Sequence, residues 1–87
     1  ILLEPWFISN HEGEEWASDK NCLNALSMII ADNLIKTKYP LIGISCGHHG
    51  KPNGDPGAVS PNLKLKEADL THFVAERVVH LINTHGE

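Results

Sequence analysis

His48 and His49 stand side by side in a glycine-rich stretch, Gly47-His48-His49-Gly50, that follows a short apolar run, Leu41 to Ser45. Glu67 lies downstream, at the head of a segment with helical periodicity. Imidazole nitrogen and carboxylate oxygen are both ordinary zinc ligands, and a catalytic zinc keeps three protein ligands plus a water. A histidine at the C-terminal end of a buried strand projects into the crevice where α/β folds place their sites, and a carboxylate opening the next helix can face the same crevice. The chemistry these residue types offer is zinc ligation. A second acid, Glu4, closes an apolar run, Ile1 to Leu3, just before Pro5.

The elements that would position these groups are legible from periodicity. Ile1 to Glu4 reads as the end of a buried strand that Pro5 stops. From Ser9 to Trp16 the chain is polar and acidic, with Asn10 and Gly13 as turn formers, and Glu12, Glu14 and Glu15 read as a solvated loop. Ser18 or Asp19 caps a helix whose buried face holds Cys22 or Leu23, then Leu26, Ile29 or Ile30, and Leu34. Lys36 and Lys38 suit its C-terminal dipole, and Pro40 closes it. Leu41 to Ser45 reads as a second buried strand, and Gly47 to Pro61 as a long loop rich in Gly and Pro. A second helix spans about Glu67 to Asn83, with Leu70, Phe73 or Val74, Val78, and Leu81 or Ile82 inward and Gly86 as its stop. The order strand, loop, helix, strand, loop, helix predicts an α/β fold: a small, mainly parallel sheet with flanking helices.

Two stretches carry a family resemblance. Gly47-His48-His49-Gly50-Lys51-Pro52-Asn53-Gly54-Asp55-Pro56-Gly57-Ala58-Val59, followed by Leu65-Lys66-Glu67-Ala68-Asp69-Leu70, is similar to the Gly-His-Gly-Gly…Asp-x-Gly-Ala and Leu-Lys-Glu signatures that open the zinc-dependent N-acetylmuramoyl-L-alanine amidase domain. Leu2-Leu3-Glu4-Pro5-Trp6-Phe7-Ile8-Ser9-Asn10, with the helix after it, resembles that family's closing segment. The two likenesses stand in inverted order within a single domain of 1–87: 1–38 resembles the family's C-terminal segment and 41–87 its N-terminal segment. The family's middle, with the Ser-x-His stretch that supplies its third zinc ligand, has no counterpart here. A permuted and shortened domain, a junction between two amidase-like units, a fragment, or a chain order other than the biological one would each produce this arrangement.

The resemblance implies Zn²⁺ as cofactor, His48 and Glu67 as metal ligands, and Glu4 as the catalytic carboxylate. It implies bacterial peptidoglycan as partner, and hydrolysis of the amide between N-acetylmuramic acid and L-alanine in cell-wall lysis or remodelling. An autolysin, a sporulation amidase and a phage endolysin fit equally, acting at the cell wall, in the periplasm or outside the cell. His11, His49 and Cys46 are the candidates for a third ligand by proximity in sequence. The alternative is a non-catalytic amidase-like module, or fragment, that binds metal or cell wall. A site completed by a second copy is a further expectation, because a half-complete domain leaves sheet edges and apolar faces for homo-oligomer pairing.

Composition narrows the field. Eighty-seven residues make one small domain with a modest core. A net charge of −4 argues against nucleic acid as a partner, since phosphate neutralisation needs a surplus of Lys and Arg. No apolar run is long enough to span a membrane, and nothing at the N-terminus reads as a signal peptide, so export is expected to depend on something beyond these residues. Two cysteines do not make a disulfide scaffold; Cys22 reads as a buried core thiol. His72, His80 and His85 are expected to face solvent, and Trp6 and Trp16 to pack.

Overall fold

Asn10 starts the first helix by accepting the Gly13 amide on its side-chain oxygen at 2.7 Å, the bond an N-cap residue exists to make. In the computed structural model, which describes residues 8–47 and 57–85, this helix is α1, His11–Ser18. Asp19 then serves two helices. Its extended backbone ends α1, its N–H bonding the Trp16 carbonyl at 3.2 Å, while its carboxylate accepts the Asn21 amide at 2.8 Å. The result is a one-residue break between α1 and α2, Lys20–Lys36. Helix α3 spans Glu67–Asn83.

The core is the seam between α2 and α3, with α1 laid against α2. On α2 the buried residues are Leu23, Ser27 and Ala31, spaced four apart on one face. Two of the three are small, so little side-chain bulk separates the helices. The Ser27 hydroxyl is satisfied within its own helix by the Leu23 carbonyl at 2.8 Å. Helix α3 contributes Ala75 and Val78, and Ile8 and Ala17 add the apolar cover from the N-terminal side. Lys20 places its ammonium 4.2 Å from the Phe73 ring centroid, a cation–π contact between α2 and α3 worth about 0.5–1 kcal/mol at such a site.

The expected α/β fold with a small, mainly parallel sheet is overturned: the described residues form a small all-helical fold, and their only ladder element is a single antiparallel bridge between Val59 and Lys66. Leu41 to Ser45, read as a buried strand, is irregular; Leu41 is 89 % exposed and Ile44 is also exposed. The physical reason is that an apolar run becomes a strand only when another strand takes its amides and carbonyls and layers cover its faces. Among the described residues no neighbouring strand does this. The other predicted strand, Ile1 to Glu4, lies outside the described residues, as does the Gly86 stop.

A second correction concerns 9–16. The stretch read as a solvated acidic loop is mostly helix, and Glu14 within it is buried. Helix α3 matches its expected bounds, and α2 begins after Asp19 as expected but ends at Lys36, before Lys38 and Pro40. Their inward faces differ in detail: Ser27 and Ala31 are buried where Leu26 and Ile30 were expected, and Ile29 is exposed. Periodicity weighted by side-chain size selects the large residues, whereas close helix packing buries the small ones.

Candidate functional site

Of the residues singled out for chemistry, the structure describes Glu67; Glu4 and His48, together with His49, lie outside the described residues. Glu67 is the first residue of α3, half-buried, in a first turn that also carries Asp69. Negative charge there suits the positive end of the helix dipole. Lys66, at the N-cap position, makes no side-chain capping bond. The chain before the helix supplies that role: the Glu67 amide donates to the Ala58 carbonyl at 2.9 Å, and the Ala58 amide donates to Glu67 Oε2 at 2.9 Å. This reciprocal pair holds one carboxylate oxygen at a set place.

The pair is the open end of a small turn. Inside it come the Val59–Lys66 bridge, then the Ser60 amide bonded to the Leu65 carbonyl at 2.8 Å, then the Leu65 amide bonded to Ser60 Oγ at 2.8 Å. Gly57 enters the turn at φ 77 and Lys64 leaves its tip at φ 56. The first is natural for glycine, and the second places a lysine in the left-handed region to reverse the chain.

The tip of this turn is held by α1. Glu14 Oε2 accepts the Asn62 amide at 2.9 Å and the Leu63 amide at 2.6 Å, and its carboxylate also bonds the Ser60 side chain. Glu14 is 2 % and Ser60 1 % exposed. Burial pushes the Glu14 carboxyl upward, but the Ser60 hydroxyl and the Leu63 and Asn62 groups outweigh it and bring the pKa below the ordinary glutamate value of 4.5. Sequence reasoning missed Glu14 because its partners lie 48 and 49 residues away. The one local signal was the Asn10–Gly13 cap, which puts Glu14 and Ala17 on a helix surface rather than in a loop.

A group whose pKa is lowered by folding stabilises the fold above its unfolded pKa. That contribution is lost as pH falls through the folded pKa, because the unfolded chain takes up the proton first. The urea midpoint of the chain is therefore expected to fall as pH drops through and below 4.5, and Glu14→Gln is expected to flatten that slope. Equal slopes in the two proteins, measured by circular dichroism between pH 6 and 3, would remove Glu14 from the account.

A second fastening approaches Glu67 from the other side. Thr71, one helical turn beyond Glu67, donates its hydroxyl to the Gly47 carbonyl at 2.7 Å. Gly47 immediately precedes His48. Beside it, an open groove of about 450 Å³ is lined by Ile44, Ala75 and Val79 with Cys46, His72, Glu76 and His80. His72 Nε2 lies 3.0 Å from Glu76 Oε1; His80 and His85 are exposed, as expected. Cys46 and Cys22 are free and half-buried, and burial together with the nearby Asp19 carboxylate raises the Cys22 pKa. His11, one candidate third ligand, sits at the start of α1 with Nε2 3.0 Å from Glu15 Oε1. Trp16 is half-buried. Among the described residues no three His, Cys, Asp or Glu side chains group closely enough to hold a metal ion.

No family model, curated protein or solved structure matches the chain. Among the described residues no helix is long and apolar enough to cross a membrane.

Proposed function

We propose that the chain is a zinc-dependent peptidoglycan amidohydrolase that cleaves the N-acetylmuramoyl–L-alanine bond at the bacterial cell wall. The observation that carries this reading is the Thr71–Gly47 hydrogen bond. It fastens Gly47, which precedes His48 in the motif, to α3 one turn from Glu67. The likeness of 47–59 and 65–70 to the amidase signatures supports the same reading.

Imidazole and carboxylate are both donor types that zinc takes. The Ala58 amide occupies Glu67 Oε2 as an orienting partner, the role that hydrogen bonds to ligating carboxylates play in metal sites. Glu67 and His48 would hold the ion, which when bound supplies a Lewis acid and acidifies a water. Glu4 would accept a proton from the attacking water as the new C–O bond forms, then deliver one to the departing amine nitrogen as the C–N bond breaks. The products are a free lactyl carboxylate and a free L-alanine amino group.

Zinc stoichiometry tests this. The purified chain is expected to hold a single zinc, lost in His48→Ala and in Glu67→Gln, and to release soluble peptide from peptidoglycan. Zinc bound without release would move the chain to the non-catalytic module that binds metal or cell wall. A chain that takes up no zinc, either alone or at concentrations where copies associate, would end the metalloenzyme reading.

A further inference from the structure

From Leu41 to Cys46 the chain runs without a turn or bend, and among the described residues none of its backbone amides or carbonyls finds a hydrogen-bond partner. We propose that this run is the pairing edge for a second copy of the chain. Two copies lay 41–45 antiparallel about a two-fold axis at Gly43, and the result is a two-stranded ladder between molecules. Each chain by itself stays helical, and the inference needs no metal.

One face of the run already has cover. Ile44 lines the groove with Ala75 and Val79 of α3, and Ile42 is half-buried, while Leu41 on the alternate face is 89 % exposed. That alternation is what a strand shows when one side rests on a helix. The run is fixed at both ends, by α2 before it and by the Thr71–Gly47 bond after it, so pairing costs little further order. Natural sheet edges are guarded by charged side chains, yet Tyr39 to Gly47 carry none. Two copies, each at −4 overall, therefore meet without like charges at the seam. The two-fold register is self-complementary: Ile42 meets the partner's Ile44, and Gly43 meets itself. Nothing lies within 4 Å of where a Cβ on Gly43 would stand, so two backbones can cross closely there. The surface has area to give. The 9.6 kDa chain exposes 6519 Å², roughly 1,400 Å² more than the about 5,100 Å² of a compact monomer of that mass. A standard interface takes about 800 Å² from each partner. The core is correspondingly slight: three of its six buried apolar residues are alanines.

Sedimentation across a concentration series, with amide exchange on the same samples of the full chain, tests the pairing. Wild type is expected to dimerise. As it does, every second amide of 41–46 should slow in exchange by about tenfold or more, since alternate amides of a strand face one partner. Ile42→Pro and Gly43→Pro each remove one amide, and the two amides point to opposite edges of the run. The monomer uses neither, so helix content should hold in both variants. One of the two is expected to weaken dimerisation about tenfold or more, because a symmetric pair loses the bond twice. The other removes an amide from the free edge and should weaken it less. If a proline variant loses helix, the exchange pattern of wild type decides. A chain that stays monomeric at every concentration, a dimer whose 41–46 amides remain open, or a dimer indifferent to both prolines would overturn the proposal.

Discussion

Glu4→Gln is expected to lower peptidoglycan cleavage about 10²–10⁴-fold, the range over which a positioned general acid–base acts, while leaving zinc content unchanged. The argument is one of proton bookkeeping. Amide hydrolysis needs a proton removed from water as the C–O bond forms and a proton supplied to nitrogen before the C–N bond can break. Glutamine is nearly isosteric with glutamate but can do neither near neutral pH. Because the proposed metal ligands are His48 and Glu67, the substitution should separate catalysis from metal binding. Release of peptide stems and zinc stoichiometry on the same preparation read both quantities. Full activity in Glu4→Gln would show that another group carries the proton, and loss of zinc would show that Glu4 is a ligand instead.

Leu23→Ala is expected to cost about 2–5 kcal/mol, the range for a buried leucine whose surroundings cannot collapse around the void. A chain of this length has roughly 4–13 kcal/mol of stability in all. Leu23 is 5 % exposed and is the largest apolar side chain on the buried row of α2; the rest of that row is Ser27 and Ala31. Small neighbours cannot move in to fill the space. The melting temperature should drop by roughly 10 °C or more, as about 4–8 °C accompany each kcal/mol in domains of this size. Leu41→Ala is the matched control. Its side chain is almost wholly in water, so the change should stay within about 0.5 kcal/mol. If the two substitutions cost the same, the buried row of α2 does not carry the core.

The two longer helices could be read from the chain because both their signals are local. Asp19 caps α2 through an amide two residues on, and the apolar period of 67–83 spans α3 from end to end. The same reasoning failed at Leu41 to Ser45, where Leu41, Ile42 and Ile44 have the composition of a buried strand and, among the described residues, no neighbour to make it one. It failed in the opposite sense at Glu14, where a charge was assigned to solvent because charges usually are. Glu67 was singled out through its motif, but the group that holds its carboxylate, the Ala58 amide, carries no chemistry of its own to draw notice.

By itself the sequence determined the bounds of α3 and the start of α2, and which residue types could serve as ligand and base. Those properties depend on dihedral preference, capping and side-chain chemistry, all of which act within a few residues. Only the tertiary structure decided that Ser27 and Ala31 are buried, that an apolar run stays in water, and that the buried Glu14 holds the turn leading to Glu67. Each of those outcomes depends on what arrives from 20 or more residues away. A strand needs a partner for its amides, a helix seam needs a matching surface, and a buried carboxylate needs donors. A linear sequence names the groups that seek such partners and leaves the folded chain to bring them together.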